Sequence, residues 1–577
     1  MLFKTESLTC AQLLKRAERV GALLLEKGSL ASGDHVAIIF PPGIDLIAAV
    51  FGCFCASLVP VCIRPPSAQN LQTSMLTIRM IVQVSKAVAI LSNGLIIKLL
   101  KSRECPPPPN NHQRRRQSQQ PSTQFQASSS WPIIFDIDDA PSLSFARNKL
   151  LNKRKLSAER IEEERSTTAA TSTCYLDFVV STTGQLSGVQ MTVLAVANQC
   201  RSLKLACELY PSRNVTLCLD PCSGGLSFTL CVYSGHQSTL IPPQEMEQNP
   251  FCWLQALTQR RTRDTFCSPN MVELCCSELA PQLCQLMEKG INFLRNCIII
   301  AEERPRVSLC TAFVKLFAPL GLSSRSVSTA FGCRVNPAIC MQSASCPDPT
   351  TVYVDARALR NDRVTLVEKG APHSICLMES GKLLPGVKVA IANPKTRGQC
   401  ADTHLGEIWV SSGHNANGFT CLSGELQQTD HFNARLTTGD TKTLWARTGY
   451  LGFLRQTKAI TAHGDETILL RGMRYHPVDI ELCVCKANRQ ICESASFLWT
   501  NLLVIAAETT SPESDALDLI PAITSALLEE QHLIAGIVVL LDPGTIPINS
   551  RGEKQRAHLR ELFMRDQLDP IYVAYNL

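Results

Sequence analysis

The stretch STTGQLSGV, Ser181 to Val189, is a run of hydroxyls and glycines between two apolar segments, CYLDFVV before it and VQMTV after it. Such a loop can hold phosphate through backbone N–H groups and side-chain oxygens. The lysine that usually neutralises a polyphosphate in such a cradle is missing. Taken alone, the loop reads equally as a polar hairpin turn between two strands. Its surroundings have to decide.

Upstream, helix and strand alternate. Thr9 and Gln12 form a capping-box pair ahead of Leu13, Leu14, Ala17, Val20, Leu23 and Leu24, and Gly28 supplies the stop. HVAIIF (35–40), VPVCI (59–63) and AVAILS (87–92) read as strands, with a helix over 44–57. Continuous apolar strands between helices mean a parallel sheet covered on both faces. Residues 104–130 interrupt this order. Pro, Gln and Ser make up 16 of those 27 residues, which leaves little to bury, so a disordered or surface insertion is expected. WPIIFDID (131–138) returns to the fold, and 143–172 is a second weak segment whose mixed charges suit an exposed helix. Downstream, NVTLCLD, STLIPP, RDTFCSP, RNCIIIAEE and SVSTAFG read as buried strands. From about Thr350 the strands come closer, as in an antiparallel or barrel-like part, and 465–577 reads as a final α+β piece.

The composition permits several compact units. The chain has 577 residues, 45% apolar and 18% charged, with a net charge of +6 that is too dilute for a dedicated nucleic-acid binder. Its 27 cysteines are scattered through apolar runs without a C-x-x-C pair, which suits free buried thiols in a reducing compartment and no structural metal. Leu46 to Ile63 holds 18 residues without a charge, but Pro60 and the β-type residues there favour a buried helix running into a buried strand over a membrane span. No signal-peptide core opens the sequence, so an intracellular, cytoplasmic location is expected.

The order of motifs resembles the adenylate-forming enzymes of the acyl-CoA synthetase and luciferase type, and among them the fatty-acyl-AMP ligases. GDHVAIIFPPGIDLIAAVFGC with VPVCIRPP, the tryptophan-bearing NPFCWLQALTQRRTRDTFCSPNMVELC (249–275), IIAEERPR (299–306), WARTGYLGFL (445–454) and RGMRYHPVDIE (471–481) follow in that family's order. SGHQSTLIPP, STAFGCRVN, RALRNDRVTLVEKG and the ending INSRGEKQRAHLRE…DQLDPIYVAYNL are most similar to the C-terminal adenylation domain of the disco-interacting protein 2 family. The resemblance implies an α/β adenylate-forming fold. A large N-terminal domain would cover 1–463, interrupted near 104–130 and 143–172, and a small mobile α+β domain would cover 464–577.

It also implies chemistry. A carboxylate attacks the α-phosphate of ATP, acyl-adenylate forms and pyrophosphate leaves. That reaction needs a phosphate cradle, Mg²⁺, a ribose anchor and positive charge on the transferring phosphorus. The cradle would be Ser181, Thr182, Thr183, Gly184 and Gly188, with Ser187 where the family has lysine. Phe331 and Gly332 match the pair flanking the adenine. Val335 stands where a glutamate would hold Mg²⁺, and Arg334 beside it is either a partial stand-in for that charge or a buried, paired arginine. Arg447, Thr448, Gly449 and Tyr450 match R-T-G-D except that a phenol replaces the ribose-binding carboxylate. Glu553 falls on the catalytic lysine position, and Lys554 comes one residue late. Only 16 residues separate Leu454 from Arg471, where the family places an extra strand and a hinge, with Glu466 near the hinge and Arg471 towards the ribose.

The implied ligands are ATP or AMP and a fatty acid, with Mg²⁺ in doubt and CoA or a lipid as acyl acceptor. The implied setting is lipid metabolism. Four replaced polar groups, Ser187, Val335, Tyr450 and Glu553, leave three readings: an acyl-activating enzyme with weak or altered activity, an acyl- or nucleotide-binding module without turnover, or a scaffold for protein partners. A bulky residue at Gly332 is the natural plug with which to test the last.

Overall fold

The computed structural model describes residues 6–28, 30–66, 71–102, 131–148, 150, 172–180, 186–219, 225–279, 290–301, 304–342, 351–402, 404–421, 431–454, 460–463, 467–471, 473–510, 513–548 and 553–576. Both weak segments therefore lie, for most of their length, outside the described residues. Two compact units emerge. One gathers 1–178, 188–193 and 420–423, and the other 179–187, 194–419 and 424–577.

In the first unit the expected capping box is present. Thr9 Oγ1 accepts the Gln12 N–H, and the Gln12 side chain accepts the Thr9 N–H, at the start of helix Cys10–Lys27. That helix meets helix Ile44–Cys55 closely enough that a Cβ on Gly52 would lie 2.6 Å from Val20 Cγ1. The charge-free run splits as expected into that helix and the fully buried strand Val59–Ile63. No helix among the described residues is long and apolar enough to cross a membrane. Strands β1 (His35–Ile39), β2 (Val59–Ile63), β3 (Ala89–Ser92), β4 (Ile133–Asp136), β5 (Thr173–Val180) and β6 (Leu186–Thr192) join Gly418–Cys421 in one sheet, in the order Gly418–Cys421, β6, β5, β2, β1, β3, β4. Pairs β1–β2, β1–β3, β3–β4 and β2–β5 are parallel.

The second unit holds the other large sheet. Strands β7 (Asn214–Cys218), β8 (Gln237–Leu240), β9 (Asp264–Cys267), β10 (Asn296–Ala301) and β11 (Val327–Phe331) run parallel in the order β11, β10, β9, β7, β8, and Cys340–Met341 joins β11 antiparallel. Asn214-Val215-Thr216, which has the pattern of a glycosylation acceptor, lies on β7 with Thr216 fully buried. One face packs on a core centred on Trp253, Phe313 and Phe317, with ring centroids 4.8 to 6.0 Å apart. Six buried cysteines share that core. Burial pushes the thiol of Cys218 up to about 12 and those of Cys252 and Cys310 up to about 11, so they act as small apolar residues. The cysteines in the described regions are free thiols, in keeping with their scatter along the sequence. The chain continues into an antiparallel sheet, Val387–Ala392, Gly406–Ser412, Ala446–Leu454 and Ile460–His463, and ends in the sheet Ile491–Trp499, Leu502–Thr509, Ile537–Leu541 and Tyr572–Tyr575.

Candidate functional site

β11 ends at Phe331, and the chain turns at once. Cys333 N–H donates to the Asn336 carbonyl at 2.8 Å, and Asn336 N–H donates back at 3.1 Å. Gly332 is required there by close approach, since a Cβ would lie 2.0 Å from the Pro337 oxygen. A plug at Gly332 would therefore break the turn before it filled any cleft. Phe331 is buried and meets Tyr450 edge-on, with centroids 5.6 Å apart. The Tyr450 hydroxyl in turn donates to Glu553 Oε1 at 2.8 Å, and both residues are buried. Two positions that the sequence marks as odd are thus bonded to each other.

The other two, Val335 in this turn and Ser187 on β6, are linked through Arg334. Val335 is 2% exposed, and its carbonyl accepts the Ala416 N–H at 2.8 Å. Its neighbour Arg334 donates from Nη1 to Ser187 Oγ at 2.9 Å. Ser181, Thr182, Thr183 and Gly184 lie outside the described residues.

The strand Ala446–Leu454 places the remaining residues. Arg447 donates through Nε and Nη2 to both oxygens of buried Glu407, on the neighbouring strand, at 2.9 to 3.2 Å, so its guanidinium is matched within the antiparallel sheet. Glu407 Oε1 also accepts the Gly449 N–H. Thr448 Oγ1 donates to the Ile408 carbonyl at 2.7 Å and accepts the Tyr450 N–H. Gly449 has φ +82°, a left-handed value that a glycine adopts freely. This turn explains why R-T-G-Y keeps its first three residues: each secures the backbone that aims the fourth.

Lys554 does not join this group. The segment before helix Arg556–Met564 is extended, with Lys554 bridged to Ile548, so Glu553 and Lys554 point to opposite sides. Lys554 Nζ lies 2.6 Å from the Ser494 carbonyl, 2.7 Å from Glu493 and 3.1 Å from Glu481. The lysine is neither on a helix nor in solvent, with its side chain 13% exposed. Arg471 is exposed at a turn between Ile468–Leu470 and Met473–Tyr475, with φ +50°. The short span before it still accommodates strand Ile460–His463, paired with Ala446–Leu454, so its shortness does not remove a strand; Glu466 lies outside the described residues.

Sequence reasoning misses Glu407 and His431. The first is revealed only by cross-strand pairing 40 residues away. His431 follows no motif, yet it feels three site charges: burial and then Arg447 lower its pKa, Glu407 raises it, and Arg334 lowers it further. It also packs on Phe419 at 5.2 Å.

The chain matches the AMP-binding enzyme family over residues 1–420. It belongs to that family. Within the AMP-binding enzymes, residues 465–572 match the disco-interacting protein 2-like AMP domain. Disco-interacting protein 2 homolog A of Mus musculus is 53% identical over 99% of this chain, and disco-interacting protein 2 of Drosophila melanogaster is 49% identical over the same share. The chain spans 37% and 34% of those two proteins' lengths. The solved fatty acid AMP ligase of Legionella pneumophila is 19% identical, with a TM-score of 0.68 over 100% of this chain and 94% of that one. This AMP-binding chain therefore has the adenylate-forming fold, as the motif order leads one to expect.

Proposed function

We propose that this chain is an acyl-AMP-ligase-like protein whose cleft around Phe331 and Tyr450 binds an acyl-adenylate or adenine nucleotide, while its turnover of ATP is weak. One observation carries the proposal: the Tyr450–Glu553 hydrogen bond at 2.8 Å. A ribose-binding carboxylate and a catalytic cation would be drawn together by a bound nucleotide. Here a phenol and a carboxylate satisfy each other directly. Phe331 keeps the aromatic side chain that the resemblance places beside the base, but Glu553 puts negative charge where adenylation needs positive charge. In this proposal residues 1–463 carry the cleft, and residues 464–577 are the mobile part that brings Glu553 to it. The site residues are Ser181, Thr182, Thr183, Gly184, Ser187, Phe331, Gly332 and Tyr450, with Arg447, Thr448 and Gly449 as positioning residues. The acyl group would come from a fatty acid, and the setting would be lipid metabolism.

The test pairs two measurements. Calorimetry should show binding of AMP and of an acyl-sulfamoyl adenosine. ATP–pyrophosphate exchange with medium- and long-chain fatty acids should stay close to the enzyme-free rate. Exchange within the usual enzymatic range of about 1 to 10³ per second would overturn the claim of weak turnover. Absence of binding by either adenylate ligand would overturn the site itself.

A further inference from the structure

The family resemblance implies Mg²⁺, and the donors at the expected position do not fit it. A hard cation takes oxygen ligands, and Val335 offers only a buried hydrocarbon there. Among the described residues no three His, Cys, Asp or Glu side chains stand together as a metal site. The nearby carboxylates already accept hydrogen bonds, Glu407 from Arg447 and Glu553 from Tyr450.

The same turn supplies a fixed cation instead. Arg334 sits at the head of a braced loop. The Cys333–Asn336 hydrogen bonds close it, Ala416 N–H holds the Val335 carbonyl, Asn336 Nδ2 donates to Asn415 Oδ1 at 2.9 Å, and Gly332 lies against the Pro337 backbone. From there Arg334 reaches Ser187, the residue at the loop's missing lysine, at 2.9 Å. The lost metal ligand and the lost lysine are therefore linked through one guanidinium. A guanidinium stays charged at every physiological pH, and its planar fork matches two phosphate oxygens.

We propose that Arg334 takes the place of the divalent cation, so that the cleft binds a nucleoside monophosphate, or its mixed anhydride with a carboxylic acid, without Mg²⁺. The inference rests on the nucleotide site proposed above and narrows its ligand class. One guanidinium offsets one phosphate well. It does not offset a triphosphate, whose further charges would also face the Glu553 carboxylate.

The test is calorimetric titration of the full chain with adenosine, AMP and ATP, in EDTA and again in excess Mg²⁺. AMP should bind equally well in both buffers and more tightly than ATP in EDTA. Arg334→Met should weaken AMP by at least about tenfold and leave adenosine unchanged, while Arg334→Lys should recover part of the loss. A tenfold gain in AMP affinity on adding Mg²⁺ would overturn the inference and leave the nucleotide site standing; so would unchanged AMP binding by Arg334→Met. Failure of all three ligands in both buffers would remove the nucleotide site and this inference together. The buffer comparison uses the unaltered chain and does not depend on how well a variant folds.

Discussion

Single residues decide how much of the site survives, and their charge states can be followed by pH. His236, immediately before β8, is 6% exposed, and neither ring nitrogen has a hydrogen-bond partner among the described residues. Burial, and then the charge of Lys204, lowers its pKa to about 4. The unfolded chain takes up a proton at His236 near pH 6.5, while the folded chain resists until about pH 4. Stability from this residue is therefore complete above pH 6.5 and falls as pH drops towards 4, by up to about 3 kcal/mol. His236→Leu should flatten urea-unfolding free energies across that window. An unchanged slope against pH would show that His236 is not buried neutral. Legibility also varies residue by residue. Tyr450, Glu553, Val335 and Ser187 stand out in the sequence because each breaks a pattern. Their pairing does not, since Tyr450 and Glu553 are 103 positions apart.

At the scale of elements, the sequence signals are strong where they are local. Helix Cys10–Lys27 begins at its capping box, and the strands of both large sheets fall within a few residues of their apolar runs. They weaken where geometry depends on a neighbour. Lys554, one residue past the position the resemblance assigns to the catalytic lysine, lies where the chain is extended, and extension turns consecutive side chains to opposite faces. Lys554 consequently completes a buried knot that ties helix Arg556–Met564 to helix Pro477–Ala487. Glu481, 3% exposed, accepts from Arg556 Nε at 2.7 Å, Arg556 Nη2 at 2.9 Å, Lys554 at 3.1 Å and the Ser496 N–H at 2.9 Å. Burial alone would raise the Glu481 pKa, but Arg556 and Lys554, with the hydrogen bonds, hold it down at about 2. The depressed value means stability that is present above the unfolded pKa of 4.5 and is lost as pH falls from there towards 2. Glu481→Gln should cost about 3 kcal/mol at pH 7, by chemical denaturation, because two cations lose a buried partner. The gap to the unaltered chain should close by about pH 2. A gap that persists there would mean that packing, and not charge, makes the difference.

For the whole molecule, the question is what holds residues 465–572 against the rest of the second unit. Several ties are visible among the described residues, including ring contact between His373 and His532 at 5.1 Å. Arg474 pairs with Asp362 at 2.8 Å, and Arg360 donates to Gln531 while lying 4.5 Å over the Tyr475 ring. Arg304 pairs with Asp479, and Tyr450 bonds Glu553. Exposure ranks them. Asp362 is 47% exposed, so its pair contributes little, about 0 to 1 kcal/mol. Arg304 and Asp479 are 6% and 11% exposed, and breaking one side of such a pair leaves a buried charge without its partner. The buried pair and the Tyr450–Glu553 bond should therefore govern any swing of the C-terminal part. In the Asp479→Asn, Tyr450→Phe double variant, amide exchange should quicken at least about tenfold at 476–480 and 553–556. The central strand Leu502–Thr509, held on both sides by its own sheet, should keep its protection. Asp362→Asn, at a tie of similar position but high exposure, should leave both regions unchanged. If exchange instead rises equally across 465–572, the double variant has loosened that part's own core, and the idea of two buried fastenings on an intact body fails.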